Sequence, residues 1–177
     1  MLCLFGLPFG LQQCLAQSAQ KQTIFCEDGA PDAFAFKAES FPKAVVDAVM
    51  NTNEGKQARA DANETGKELN VEKALRATRV RISEDDAAAF LVMGSYPLAA
   101  ADAGWFWIVR EDGTKTSVLL WMAGNCVVLK RSSTHGYVDI EVRWASAGST
   151  RTESYHYDGK AYQLAQSKIK ARGPKDL

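Results

Sequence analysis

The spacing of apolar residues changes along the chain, from helical spacing before residue 77 to alternation after it. The helical part predicts one main helix over residues 40–51, with Ser40 as its N-cap. Its apolar residues fall on one stripe, which has to pack against another element. The stripe consists of Val45, Val46, Val49 and Met50.

Residues 77–165 read as a series of short β-rich runs with turn residues between them. Turn signals at 111–113, 123–124 and 158–159 lie where hairpins would reverse the chain, which favours antiparallel neighbours. The prediction is an α+β fold that is mostly β. It has an antiparallel meander of six to eight strands, as an open sheet or a partly closed barrel, covered by the one main helix.

The run GWFWIVRE at residues 104–111 is apolar on both faces of a predicted strand. Trp105, Trp107 and Val109 share one face, and Phe106 and Ile108 share the other. An exposed aromatic platform would need one polar face. We therefore expect a central strand, buried on one side by the sheet's core and on the other by the Val45/Val49 stripe.

The remaining segments are mostly polar. Residues 20–76 form an N-terminal segment with a short strand near 23–26, and residues 51–70 form a polar connector, either a mobile loop or a solvated helix. A short helical turn is predicted at 72–76. Residues 166–177 read as a polar tail.

The first residues have the character of an export signal. Residues 1–10 are apolar and uncharged, and small residues follow at Ala16 and Ala19. This pattern predicts a signal peptide over 1–19 and a periplasmic or secreted protein, the alternative being a buried N-terminal helix. The apolar run is too short to span a bilayer, so we expect no membrane span in the mature chain.

Removal of residues 1–19 would take away Cys3 and Cys14 and leave Cys26 and Cys126. An even pair in an oxidising compartment predicts a disulfide, and two separate buried thiols are the alternative.

The net charge and the motifs of the sequence argue against several functional classes and identify none. Lysine plus arginine and aspartate plus glutamate number 21 each, which argues against nucleic acid as a partner. The sequence has no phosphate-binding loop, nucleophile elbow or zinc-ligand spacing. We therefore expect no metal, no cofactor and no enzymatic activity. The alternative is a small hydrolase pairing Cys126 with His135 or His156.

The run GYVDIEVRW at residues 136–144 is the clearest strand with one apolar and one polar face. Its polar face supplies the candidate ligand-binding residues. They are Tyr137, Asp139, Glu141 and Arg143.

Four stretches between residues 90 and 162 carry a resemblance to a known group of proteins: FLVMGSYPLAAADAGWFWIVRE, SVLLWM, STHGYVDIEV and SYHYDGKAY. With these strand and turn motifs the chain resembles a family of small secreted or periplasmic bacterial proteins of uncharacterised function. The resemblance implies a β-rich exported fold and carries no functional residue.

Together these observations predict a small exported protein that acts by binding a protein or small ligand in the bacterial cell envelope. An inhibitor- or immunity-like role is one form of such binding. The alternatives are the Cys/His hydrolase and a structural envelope component.

Overall fold

A computed structural model describes residues 22–26, 42–66, 68–85, 87–99, 103–146 and 148–171. The predicted signal peptide and the predicted N-cap Ser40 lie outside these residues. The described residues form three helices and nine strands. In chain order they are β1 (Thr23–Cys26), α1 (Lys43–Met50), α2 (Asn53–Glu64), α3 (Val71–Ala74), β2 (Leu75–Val80), β3 (Ala88–Ala99), β4 (Gly104–Asp112), β5 (Lys115–Gly124), β6 (Cys126–Thr134), β7 (Tyr137–Ala145), β8 (Ser149–Tyr157) and β9 (Tyr162–Ala171).

The strands form two antiparallel sheets. One has five strands in the order β1-β6-β7-β8-β9, and the other has four strands in the order β2-β3-β4-β5. The mostly β, antiparallel character is therefore confirmed. The expectation of one continuous sheet or a partly closed barrel is wrong, because the described strands divide into two sheets with a core between them.

The four-stranded sheet is buried on both faces. Phe106 and Ile108 of β4 lie in the core between the two sheets, whereas Trp107 and Val109 lie in a second core beneath the helices. The two-sided burial expected for this strand is confirmed, since all four side chains are fully buried. The molecule thus has three layers: helices, four-stranded sheet, five-stranded sheet.

The helical layer rests on the apolar stripe of α1. Val45 and Val49 are fully buried in the helix-side core together with Trp107. The polar connector contains a regular helix, α2, whose N-terminus is capped by the Thr52 hydroxyl accepting a hydrogen bond from the Gly55 N–H at 3.2 Å. Its buried face holds only glycine and alanine, which explains why the sequence shows no apolar stripe there.

The chain passes from one sheet to the other at Gly124 and Asn125. Because β5 and β6 belong to different sheets, the hairpin expected at residues 123–124 is wrong. The Asn125 N–H donates to the Arg143 carbonyl at 2.8 Å, and the Asn125 side chain accepts from the Ala145 N–H at 2.6 Å. These two bonds attach the crossing to β7.

Strand β3 contains a bulge that follows Gly94. Its pairing with β4 is regular up to Gly94 and shifts before it resumes at Ala99. A side chain at Gly94 would collide with the backbone carbonyl of Leu98, so only glycine allows the chain to fold back this closely. Pro97, which has no N–H to give to a ladder, lies within the bulge. The result is that Leu98 is buried while Tyr96 projects outward.

Cys26 and Cys126 form a disulfide that joins β1 to β6. The two cysteines are direct cross-strand partners, with their Cα atoms 4.1 Å apart. The bond closes a loop with a sequence separation of 100 residues. The predicted disulfide is therefore confirmed, and the alternative of two separate thiols is wrong.

The end of the chain differs from the predicted polar tail. Strand β9 extends to Ala171, so residues 166–171 belong to the sheet. Polar side chains occur along this strand because neither of its faces is covered beyond Tyr162, and all later residues of β9 are exposed.

Replacement of Gly94 by alanine is expected to destabilise the protein by about 1–3 kcal/mol, because the new methyl group displaces the Leu98 backbone. Urea unfolding measures the change. Gly148→Ala is the matched control, since its added methyl group meets no atom within 4 Å. Equal midpoints for the two variants would contradict the close approach at Gly94.

Loss of the disulfide is expected to lower the free energy of unfolding by roughly 2–5 kcal/mol, because a long loop is released in the unfolded chain. Urea midpoints of the Cys26→Ala/Cys126→Ala variant and of the unmodified chain, each with and without reductant, test this. Reductant should lower the urea midpoint of the unmodified chain and leave that of the double variant unchanged. Two titratable thiols in the unreduced, denatured chain starting at residue 20 would contradict the pairing.

Candidate binding site

The four candidate residues of β7 do not form one exposed surface. Tyr137 and Asp139 are buried, with 8% and 6% of their surface exposed, whereas Arg143 is exposed and Glu141 is intermediate. The expectation that all four face solvent is therefore wrong. Alternation fails at Tyr137 because this residue follows the tight turn at His135 and Gly136 and takes part in a bridge to Ser83.

Tyr137 belongs to a polar cluster that joins the two sheets. Its hydroxyl donates to the Asp85 carboxylate at 3.3 Å, and the same carboxylate accepts from the Arg110 guanidinium at 3.0 Å and from the Ser83 hydroxyl at 2.6 Å. The guanidinium carbon of Arg110 also lies 5.6 Å from the centre of the Tyr137 ring. On its other side, the Tyr137 ring stacks on Tyr157 with 3.9 Å between centroids.

The charges in this cluster satisfy one another. The pKa of the Asp85 carboxyl is lowered, chiefly by the hydrogen bond from Ser83 and further by Arg110. Burial raises the pKa of Tyr137 to about 12, against the opposing effect of Arg110. Tyr137 is therefore a neutral hydrogen-bond donor at physiological pH. Its hydroxyl and ring are occupied by internal contacts, so Tyr137 helps to hold the two sheets together.

The other polar residues of β7 are also engaged internally. Asp139 accepts a hydrogen bond from the Thr134 hydroxyl at 2.7 Å. Glu141 lies between Lys130 at 3.1 Å and Arg143 at 2.8 Å. Burial opposes ionisation of Glu141, but the hydrogen bonds from these two cations outweigh it and lower the pKa of the carboxyl.

The hypothesis of a Cys/His hydrolase requires a free thiol at Cys126, and the structure has a disulfide there. The sulfur of Cys126 is bonded to Cys26, so it cannot attack a substrate while the disulfide is intact. The Nδ1 of His135 lies 2.8 Å from the carbonyl oxygen of Tyr157, and His156 is exposed on β8, opposite Gln163.

A groove lies beside Tyr96. It has a volume of about 260 Å³ and lies between the C-terminal half of α2, the segment leading into α3 and the bulge of β3. Tyr96 is 90% exposed at its edge. The lining residues are Asp61, Ala62, Thr65, Glu68, Leu69, Asn70, Lys73, Ala74, Tyr96 and Pro97.

Among the residues that the structure describes, two charged side chains of this groove lack an ion-pair partner, in contrast to Arg110 and Asp85, which pair with each other. Glu68 and Lys73 are exposed, and the described part of the chain offers neither of them an ion-pair partner. Ala62 and Ala74 form a buried apolar floor. Asp61 adds a third charged side chain, whose carboxylate accepts a hydrogen bond from Gln57. The groove therefore combines an apolar base, two carboxylates, one ammonium group and a projecting aromatic ring.

Sequence reasoning missed Tyr96, although a signal was present. The stretch Gly94-Ser-Tyr-Pro97 places glycine and proline inside an otherwise regular strand pattern. That combination is typical of a bulge, where alternation no longer tells which side chain points outward.

No helix among the described residues is long and apolar enough to cross a membrane. The same residues contain no group of three or more histidine, cysteine, aspartate or glutamate side chains arranged to hold a metal ion.

Comparison with protein-family models, with curated proteins and with solved structures gave no match.

Removal of the Asp85 charge is expected to destabilise the protein at neutral pH and to destabilise it less in acid. The fold lowers the pKa of Asp85, so its contribution to stability is present above the unfolded value of about 3.9 and is lost as the pH falls through the lower folded value. Asp85→Asn should therefore lower the urea midpoint at pH 7, and its difference from the unmodified chain should shrink below about pH 4.

Glu84→Gln serves as the control, because Glu84 is exposed and has no hydrogen-bond partner among the described residues. It should change the midpoint little at either pH. A difference between Asp85→Asn and the unmodified chain that stays constant from pH 7 to pH 2 would contradict the assignment.

Proposed function

We propose that the protein is an exported binding module of the bacterial envelope, which receives a projecting side chain of a partner protein in the groove at Tyr96. The observation that carries this proposal is Tyr96 itself. A large aromatic side chain that is 90% exposed contributes nothing to the core, yet Gly94 and the buried Leu98 hold its backbone in one place.

The size of the groove favours a protein partner over a free small molecule. Its volume of about 260 Å³ lies below the range of about 300–1,000 Å³ that is typical of small-molecule pockets. A groove of this size can hold one side chain of a partner, with the Tyr96 ring packed against it. Tyrosine is among the residues that most often dominate the binding energy of protein interfaces.

The unpaired charges of the groove would give the interaction its orientation. Glu68 and Lys73 both line it and carry opposite charges, and Asp61 adds a second carboxylate. A partner with the complementary order of charges pairs with both, whereas one with the reverse order is repelled by both.

Export is supported by the disulfide and by the first residues of the sequence. A disulfide between Cys26 and Cys126 persists in oxidising compartments and is rare in the cytosol. Residues 1–19 contain the apolar run and the small residues of a signal peptide, without the basic residues that usually precede the run. An inhibitor- or immunity-like role toward an envelope enzyme is the form of binding that fits this location.

Tyr96→Ala is expected to weaken capture of the partner from envelope extract by about tenfold or more, because truncation removes the central aromatic contact. The measurement compares the unmodified chain, Tyr96→Ala and the control Trp121→Ala under the same conditions. Trp121 is another large apolar side chain with substantial exposure, but it lies on β5. Circular dichroism establishes that each variant is folded.

A photoreactive phenylalanine at position 96 should give a crosslinked species that the same group at position 121 does not give. Equal capture by Tyr96→Ala and the unmodified chain, or identical crosslinks from both positions, would overturn the proposal.

A further inference from the structure

Among the residues that the structure describes, strand β9 is an open sheet edge. It pairs with β8 on one side and stands last in the order of its sheet. Every residue of β9 after Tyr162 is exposed, so the edge is accessible along almost its full length. In an antiparallel edge strand, alternate residues direct their backbone N–H and C=O groups away from the sheet, where they can pair with another strand.

One face of this edge carries exposed apolar side chains. Leu164 lies opposite Tyr155, and Ile169 lies opposite Arg151. Leu164 is 53% exposed and Ile169 is 73% exposed. Leu164 and Ile169 lie on the same face of β9 as Tyr162, whose side chain is buried in the core between the sheets. The other sheet does not cover this face beyond Tyr162, so the two apolar side chains are exposed.

The opposite face carries two lysines without acidic neighbours. Lys168 lies opposite Thr152, and Lys170 lies opposite Thr150. Within the described part of the chain, neither lysine takes part in an ion pair. Strand β9 contains no aspartate or glutamate, so this edge is positively charged although the whole chain is neutral.

The lysines disfavour a second copy of the chain as the occupant of this edge. Antiparallel partners that lie directly opposite share a face of the sheet. Two copies pairing through the regular half of β9, from Gln166 to Ala171, would therefore bring their lysines to the same face, opposite or diagonal to one another. Like charges in such positions are destabilising. An acidic strand at the same edge gains attraction instead.

We propose that β9 is a docking edge for an acidic extended segment of another protein, which adds to the five-stranded sheet as a sixth strand. The segment carries carboxylates on the face of Lys168 and Lys170 and aliphatic side chains on the face of Leu164 and Ile169. Backbone hydrogen bonds supply the general affinity, and the alternating side chains supply the specificity. This surface is separate from the groove at Tyr96, which is lined by the helices and β3.

The test uses the full chain with its disulfide intact and two capped peptides as long as β9, one alternating glutamate with valine and the other alternating lysine with valine. Binding is measured by calorimetry, and the site by amide chemical shifts in NMR spectra. The acidic peptide should bind and shift the amides of β9 and β8, whereas the basic peptide should not. Raising the salt concentration from about 0.05 M to about 0.5 M should weaken the binding, because the charges are exposed.

Lys168→Glu/Lys170→Glu is expected to weaken binding of the acidic peptide about tenfold, because two attractions become two repulsions. The control Lys56→Glu/Lys115→Glu changes the net charge equally at exposed lysines outside β9 and should stay within about twofold. Tyr96→Ala should leave peptide binding unchanged, so this inference and the proposed groove can fail independently.

Three results would overturn the inference. They are equal weakening by the two double variants, peptide-induced shifts confined to residues outside β8 and β9, and self-association of the chain through β9 in sedimentation experiments.

Discussion

The fold depends on the burial of both faces of the four-stranded sheet. Strand β4 is its centre, because Phe106 and Ile108 face the five-stranded sheet while Trp107 and Val109 face the helices. A sheet that is apolar on both faces cannot stand alone in water and needs a layer on each side. The second sheet and the helical layer meet that requirement, and the positions of the surface features follow from where these layers end.

The parts of the fold that were predictable are those in which a local pattern and the final packing agree. The apolar residues on both sides of β4 indicate two-sided burial directly, and the stripe at Val45 and Val49 indicates what covers one side. The division into two sheets was not predictable from turn signals. Residues 123–124 resemble a hairpin turn, whereas in the structure the chain crosses here to the other sheet and Asn125 bonds to β7.

The candidate site was less predictable, because it depends on departures from regular structure. Alternation placed Tyr137 on a polar face, but the turn before it directs the ring into contact with Tyr157 and Asp85. Alternation could not place Tyr96 at all, since the bulge after Gly94 interrupts the register. In both cases the side chain's direction is set by a local irregularity that strand periodicity does not encode. The open edge at β9 was missed because its polar residues read as a tail.

The two edges of the five-stranded sheet differ in the way their end strands are held. At one end β9 is exposed, and at the other the four residues of β1 cover β6 and are held there covalently through Cys26 and Cys126. Without the bond, this short strand is held by its pairing with β6 and by the burial of Phe25 in the core between the sheets, and detachment of β1 would leave β6 as a second accessible edge. The disulfide therefore adds a covalent constraint that keeps the β6 edge of the five-stranded sheet covered. A chain folding in a reducing compartment lacks this constraint, so β1 opens more readily and exposes the backbone of β6 to edge-to-edge pairing with other chains.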